Sequence, residues 1–181
     1  MTLPSGLAGM YGELLAFQEI DSRFNEKGYK ATYYSGHKGA DIELTKDRIS
    51  IKIEVKTSRL KEEGFGYWYG FALHIKKCKK PKHLRRTFNH RKRGQLTGDF
   101  CYFDYAVCVK LSRNFRPKFY VFEREYLWKH RRLLRNRHAR FTNSSHRIIL
   151  SNNNKMPRLS STQLHLIKEM EKHRNRWSLV S

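Results

Sequence analysis

The sequence predicts an α/β protein with helices at both ends of a central sheet. The clearest observation is the strict alternation of isoleucine or valine with polar residues over 49–56, which is typical of a strand with one buried face. Large apolar residues recur at helical spacing over 6–27, and a second helix is predicted over 160–177. Together these patterns favour a mixed central sheet flanked by helices.

The first predicted helix has recognisable ends. Ser5 can cap its start, and Gly28 lies where a helix would stop. The apolar residues at helical spacing are Leu7, Met10, Leu14, Phe17 and Phe24.

Several further segments are rich in residues that favour strands. The predicted strands besides 49–56 are 30–35, 40–45, 68–75, 100–111 and 118–123. Residues 126–138 are predicted to form a basic helix, and Ser160 with Gln163 has the spacing of a capping box for the last helix.

The composition is that of one basic domain. The chain has 181 residues, of which 39% are hydrophobic, and its 38 Lys and Arg against 16 Asp and Glu give a formal charge of +22. That apolar content is enough for one core, so we expect a single domain over 1–181, with a helix and hairpin in 1–60 and a basic remainder in 61–181.

The sequence favours a soluble cytoplasmic protein that does not engage a membrane. No apolar run reaches the ~18 residues of a membrane span, and the N-terminus lacks the features of a signal peptide. The cysteines Cys78, Cys101 and Cys108 lack a Cys-x-x-Cys pair, so we interpret them as buried structural residues and not as zinc ligands.

Positive charge is concentrated in the second part of the chain. Residues 1–60 carry 9 basic and 8 acidic side chains, whereas residues 61–181 carry 29 and 8. Such one-signed tracts favour nucleic-acid binding over an ordinary solvated surface. One tract has ten basic residues and no acidic one: Lys76, Lys77, Lys79, Lys80, Lys82, Arg85, Arg86, Arg91, Lys92 and Arg93.

Carboxylates collect on one face of the predicted hairpin. With residues 45–48 as a four-residue turn, Asp41 is expected opposite Lys52 and diagonal to Glu54, with Lys56 on the same face. The apolar residues of both strands take the other face. Diagonal Cβ atoms lie ~7 Å apart, so the two carboxylates could share one Mg²⁺.

These residues resemble the PD-(D/E)XK nuclease superfamily. The matching segments are Gly39-Ala40-Asp41-Ile42-Glu43-Leu44 and Ile53-Glu54-Val55-Lys56-Thr57-Ser58, preceded by a helix that carries Glu13. Within the superfamily, residues 10–58 look like the archaeal Holliday-junction resolvases.

The resemblance implies a restriction-endonuclease-like core, a metal-dependent endonuclease that acts on duplex or branched DNA, and a homodimer that makes paired cuts. The implied catalytic residues are Glu13, Asp41, Glu54 and Lys56.

The chemistry of phosphodiester hydrolysis assigns a role to each residue. A cation has to neutralise the anionic phosphate and activate water, so Asp41, Glu54 and the carbonyl of Val55 are expected to hold Mg²⁺, with Mn²⁺ as a substitute. Glu13 is expected to bind a second metal or to orient a water. Lys56 is expected to orient water and to stabilise negative charge.

Other residues could contact nucleic acid. Ser35, His37 and Lys38 lie in the loop before Asp41 and are candidates for phosphate contacts, although His37 could equally be an ordinary loop histidine. Aromatic residues such as Tyr33 could stack on bases, but strand aromatics more often have structural roles.

The sequence leaves alternatives open. The chain could be a non-catalytic nucleic-acid-binding protein on a degenerate nuclease fold, or an RNA endonuclease. For a DNA enzyme, the target could be a branched structure or a specific duplex site.

Overall fold

A computed structural model describes residues 4–34, 40–59, 61–63, 66–74, 103–112, 114, 116–130, 145–151, 165 and 168–180. The elements whose bounds are described are two helices, eight strands and a short 3₁₀ helix, in the following chain order. The elements are α1 (Ser5–Phe24), β1 (Lys30–Tyr33), β2 (Ile42–Lys46), β3 (Ile49–Arg59), β4 (Lys61–Glu63), β5 (Gly66–His74), β6 (Tyr105–Leu111), β7 (Pro117–Glu123), α2 (Arg124–Lys129), β8 (Ser145–Ser151) and the 3₁₀ helix Trp177–Leu179.

The strands form two sheets. The larger has the order β1-β2-β3-β6-β7, in which β3 and β6 run parallel and every other neighbouring pair is antiparallel. The smaller has the order β4-β5-β8. The predicted α/β class with a mixed central sheet flanked by helices is confirmed. β4 and β8 are strands that the sequence analysis did not predict.

Helix α1 begins and ends differently from the prediction. Ser5 is the first helical residue and not its cap, because Pro4 precedes the helix and no side chain caps its end. The helix ends at Phe24, and Gly28 follows in the left-handed region with φ of 79°. A residue without a Cβ adopts this conformation at little cost, so Gly28 lets the chain turn toward β1 after the helix has ended.

In the first part of α1, the buried face does not carry the largest apolar residues. Ala8, Ala16, Ile20 and Phe24 are buried, whereas the apolar residues Leu7, Met10, Tyr11 and Leu14 are between 37% and 48% exposed. The reason is a close approach of α1 to β3 at Gly12. A Cβ on Gly12 would lie 2.6 Å from Cγ2 of Thr57, so only small residues fit on this side of the helix near Gly12.

The β2–β3 hairpin has a tighter turn than predicted. Lys46 pairs with Ile49, so the turn has two residues instead of four. Asp47 adopts a left-handed φ of 52°, which short hairpin turns require and which aspartate tolerates. The register therefore moves by two residues, and Lys52 pairs with Glu43 instead of Asp41.

The shift leaves each side chain on its predicted face, because strand side chains alternate with a period of two. The buried apolar residues of the hairpin lie on the α1 side of the sheet, in one cluster with residues of α1, β6 and β7.

The C-terminal segment extends the sheet instead of continuing the predicted helix. Residues 168–171 are helical, but residue 174 bridges to Tyr120 on the edge of β7. The Nδ1–H of His173 donates to the carbonyl of Val121 at 3.0 Å, and Trp177 joins the core 5.6 Å from the ring of Phe119. The predicted helix over 160–177 was therefore wrong at its C-terminal end.

Other predictions have limits set by the described residues. Among these residues, no helix is both long and apolar enough to cross a membrane. The basic helix predicted over 126–138 is described only to residue 130. Helix α2 begins before it, at Arg124, and ends at Lys129.

Candidate active site

The predicted site lies where β2 and β3 separate. β2 begins at Ile42, which pairs with Ile53, so Asp41 lies at the end of the ladder beside Glu54. The carboxylate of Asp41 accepts a hydrogen bond from the backbone N–H of Val55 at 2.7 Å. The Asp41 carboxylate thus accepts the hydrogen bond that a backbone carbonyl would accept if β2 were longer. This hydrogen bond fixes the carboxylate where β2 and β3 separate.

Lys56 lies between the candidate ligands. Its Nζ forms an ion pair with Oε1 of Glu54 and donates to the carbonyl of Val55 at 3.1 Å. The same Nζ lies 3.9 Å from Oδ2 of Asp41. The structure therefore brings together the four residues Asp41, Glu54, Val55 and Lys56.

The site is partly dehydrated. The side chain of Glu54 is 6% exposed and that of Asp41 is 17% exposed. Burial raises the pKa of the Asp41 carboxyl above its usual 3.8, although the Lys56 charge and the Val55 N–H act against this. Burial alone would lower the pKa of Lys56, but the charges of Glu54 and Asp41 outweigh it and raise that pKa above 10.5. Lys56 is therefore an ammonium ion at neutral pH.

Glu13 faces the site from α1. Its Oε2 accepts a hydrogen bond from the hydroxyl of Tyr33 on β1 at 2.8 Å. Burial raises its pKa above 4.5, and the Asp41 charge adds to the rise, whereas the hydrogen bond from Tyr33 and the Lys56 charge lower it. Glu13 is thus held by Tyr33 and interacts electrostatically with Asp41 and Lys56.

Glu43 has its own partners away from this group. Its Oε2 accepts a hydrogen bond from Tyr34 at 3.0 Å, and its Oε1 accepts a short one from Ser50. The hydrogen bond to Glu43 raises the pKa of Tyr34. Glu43 therefore belongs to a separate hydrogen-bond network on the same hairpin.

The donor set suits a hard divalent cation. Two carboxylates and a backbone carbonyl are oxygen ligands of the kind that Mg²⁺ accepts, and Mg²⁺ commonly binds through one or two carboxylates while keeping several waters. Within the described part of the chain, no cluster of three or more His, Cys, Asp or Glu side chains has metal-binding geometry. Asp41, Glu54 and the carbonyl of Val55 thus fit Mg²⁺ as a set of two side chains and one backbone oxygen.

Several predicted contacts cannot be placed. Ser35, His37, Lys38 and the ten basic residues between 76 and 93 lie outside the described residues. Cys78 and Cys101 also lie outside them, while Cys108 is a buried free thiol whose pKa is raised by burial.

Two residues at the site were missed from the sequence. Tyr33 was given a structural role, although its hydroxyl binds Glu13. Gly12 was not singled out, although it allows the close approach that positions α1 on β3. The available signal was the glycine itself, because a glycine inside a helix costs stability and often marks close packing.

Comparisons with known proteins found matches only among solved structures. A scan of protein families and a search of curated proteins each found no match. The chain is similar in structure to the bacterial homing endonuclease I-Ssp6803I, at 18% identity and a TM-score of 0.48, with 99% of this chain and 92% of that one covered. It is also similar to MepB, at 10% identity and a TM-score of 0.41, with 88% and 94% covered. Likenesses of this degree carry no functional argument.

Proposed function

We propose that this protein is a metal-dependent endonuclease that hydrolyses phosphodiester bonds in DNA. The observation that carries the proposal is the convergence of Asp41, Glu54, the Val55 carbonyl and Lys56 where β2 and β3 separate. The convergence joins two carboxylates that could hold a divalent cation and one cationic side chain that could stabilise negative charge on a phosphate.

The residues divide the work. Asp41, Glu54 and the carbonyl of Val55 would hold Mg²⁺ or Mn²⁺, which supplies charge neutralisation of the phosphate and a more acidic water. Glu13, fixed by Tyr33, orients a water or binds a further cation. The ammonium of Lys56 orients water and stabilises negative charge that develops on the phosphate.

A nucleic-acid substrate is supported by the charge, and we propose DNA because residues 10–58 resemble Holliday-junction resolvases. A net charge of +22 favours a polyanion, and the basic residues of 61–181 would bind the phosphate backbone. The target is either a branched DNA, as in Holliday-junction resolvases, or a specific duplex site.

The first experiment is a cleavage assay with Glu54→Gln and Glu43→Gln as matched variants. Both replace a glutamate on the same hairpin, but only Glu54 contacts Lys56 at the site. Labelled linear duplex, four-way junction, single-stranded DNA and RNA are incubated with Mg²⁺, Mn²⁺ or EDTA. We expect metal-dependent cutting of a DNA substrate, lost in Glu54→Gln and retained in Glu43→Gln.

Other outcomes would contradict the proposal in distinct ways. If Glu54→Gln cuts at the wild-type rate, the proposed catalytic site is wrong. Tight binding without cutting under any condition would make the chain a nucleic-acid-binding protein, and cutting of RNA alone would make it an RNA endonuclease.

We also propose that the enzyme is a homodimer that pairs through the exposed face of α1, since cutting both antiparallel strands needs two sites. Leu7, Met10, Tyr11 and Leu14 form an exposed apolar stripe, and residues 4–18 contain no Lys or Arg. This stripe is therefore a face on which two strongly basic chains can meet with little repulsion.

Analytical ultracentrifugation tests the dimer. Met10→Lys should shift the chain to a monomer. Asn114→Lys adds the same charge at an exposed position in the turn before β7 and should leave the dimer intact. A wild-type monomer at assay concentrations would contradict the proposal.

A further inference from the structure

The ammonium of Lys56 occupies the position between the oxygens that would hold a divalent cation. It contacts the carboxylate of Glu54 and the carbonyl of Val55, and it lies within 3.9 Å of the carboxylate of Asp41. All three proposed ligands thus face one side-chain cation.

This arrangement neutralises buried carboxylates in the metal-free chain. Glu54 is almost fully buried and Asp41 largely so, and buried carboxylates are costly unless a positive group neutralises them. Lys56 lies two residues after Glu54 on the same face of β3, so its ammonium reaches the carboxylates without rearrangement of the backbone.

The same arrangement excludes a second cation. Mg²⁺ binds oxygen at about 2.1 Å, so it would take the position that the ammonium now holds beside these oxygens, and the two positive charges repel each other. The side chain of Lys56 is 34% exposed, so the ammonium has a path out toward solvent.

We propose that Lys56 is an internal counterion of the metal-free site, and that a divalent cation binds only by displacing its ammonium from Glu54 and Val55. This inference rests on the proposed function, because the displaced ammonium is then available to the substrate phosphate. The positive charge of Lys56 thus serves the fold before the metal binds and the reaction afterwards.

The inference predicts that removal of the ammonium strengthens metal binding. The ammonium competes with the metal for the same oxygens, so the Kd of Lys56→Met for Mn²⁺ should fall by about tenfold or more. In EDTA the same variant should melt at a lower temperature than the wild type, and the gap should close when Mn²⁺ is added.

Isothermal titration calorimetry of the full chain with Mn²⁺ alone tests the proposal without any cleavage. Lys52→Met is the matched control, because Lys52 lies on the same face of β3, two residues before Glu54, and its loss changes the net charge equally. Lys56→Gln serves as a second variant, and circular dichroism verifies that each protein is folded. Tighter binding by both Lys56 variants, with Lys52→Met like the wild type, is the expected result.

The other outcomes separate the two proposals. If the wild type binds Mn²⁺ and the Lys56 variants bind it equally or more weakly, the counterion role is overturned while the metal site stands. If neither the wild type nor the Lys56 variants bind Mn²⁺, or if Glu54→Gln binds it as the wild type does, the metal site proposed for catalysis fails together with this inference.

Discussion

The contact between Gly12 on α1 and Thr57 on β3 gives a sharp prediction. A Cβ on residue 12 would lie 2.6 Å from Cγ2 and 2.8 Å from Cβ of Thr57, and closer still to its Oγ1. The Cβ of Thr57 is fixed to the strand, so the clash cannot be relieved by a rotation of the side chain. Gly12→Ala therefore has to push the helix away from the sheet.

The expected loss of stability can be bounded. Overpacking of a core costs typically 1–3 kcal/mol, and contacts this short favour the upper end. Alanine gains about 0.5–1 kcal/mol over glycine inside a helix, so the net loss for Gly12→Ala is about 2 kcal/mol. Gly9→Ala is the matched control, since a Cβ there meets nothing within 4 Å, and it should gain about 0.5–1 kcal/mol.

Urea and thermal denaturation followed by circular dichroism measure both changes. For a chain of this size, 1 kcal/mol moves the melting temperature by about 2–4 °C, so Gly12→Ala should melt about 4–8 °C lower and Gly9→Ala slightly higher than the wild type. Cleavage by Gly12→Ala should fall even where the protein is folded, because Glu13 moves with the helix. Equal stability of the two variants would refute the close approach of α1 to β3 and, with it, the placement of Glu13.

Three further predictions concern the site and the core. Glu13→Gln should be more stable than the wild type at pH 7, because the raised pKa of Glu13 makes its ionisation oppose folding as the pH rises above 4.5. The difference in free energy of unfolding should vanish below about pH 4, and an equal difference at both pH values would contradict this. Tyr33→Phe should lower the cleavage rate roughly 10- to 100-fold through the loss of its bond to Glu13, while Tyr34→Phe should not, and equal rates would remove Tyr33 from the site. Trp177→Ala should cost about 3–5 kcal/mol in urea unfolding, and a cost below about 1 kcal/mol would show that the C-terminal segment does not close the core.

The hairpin shows why the residues of the candidate site could be placed on one face although the predicted register was wrong. Side chains alternate between faces, so an error of two residues leaves every residue on its correct face. It does change the distances across the strands, and Asp41 lies beside Glu54 instead of diagonal to it. The turn decided the register, and the left-handed conformation of Asp47 has only a weak signal in the sequence.

The helix α1 shows the opposite case. Its large apolar residues predicted the helix correctly, but the side that packs on the sheet carries Ala8, Gly12 and Ala16. Which side packs depends on the distance between α1 and β3, and that distance is set by a contact between residues 45 positions apart. The parallel pairing of β3 with β6 is equally non-local, so local patterns could predict the strands and not their order.

The pKa values at the site separate local from long-range electrostatics. A chain with a charge of +22 should favour ionised carboxylates everywhere, yet the pKa values of Asp41 and Glu13 are raised. At about 0.1 M salt, positive charges more than about 10 Å away are largely screened. Burial acts directly on each carboxylate, so local desolvation outweighs the net charge. Burial of these carboxylates therefore opposes folding at neutral pH, which is expected of residues placed for chemistry and not for stability. The ammonium of Lys56 offsets part of this cost. We therefore expect its removal to lower the melting temperature most in the metal-free protein.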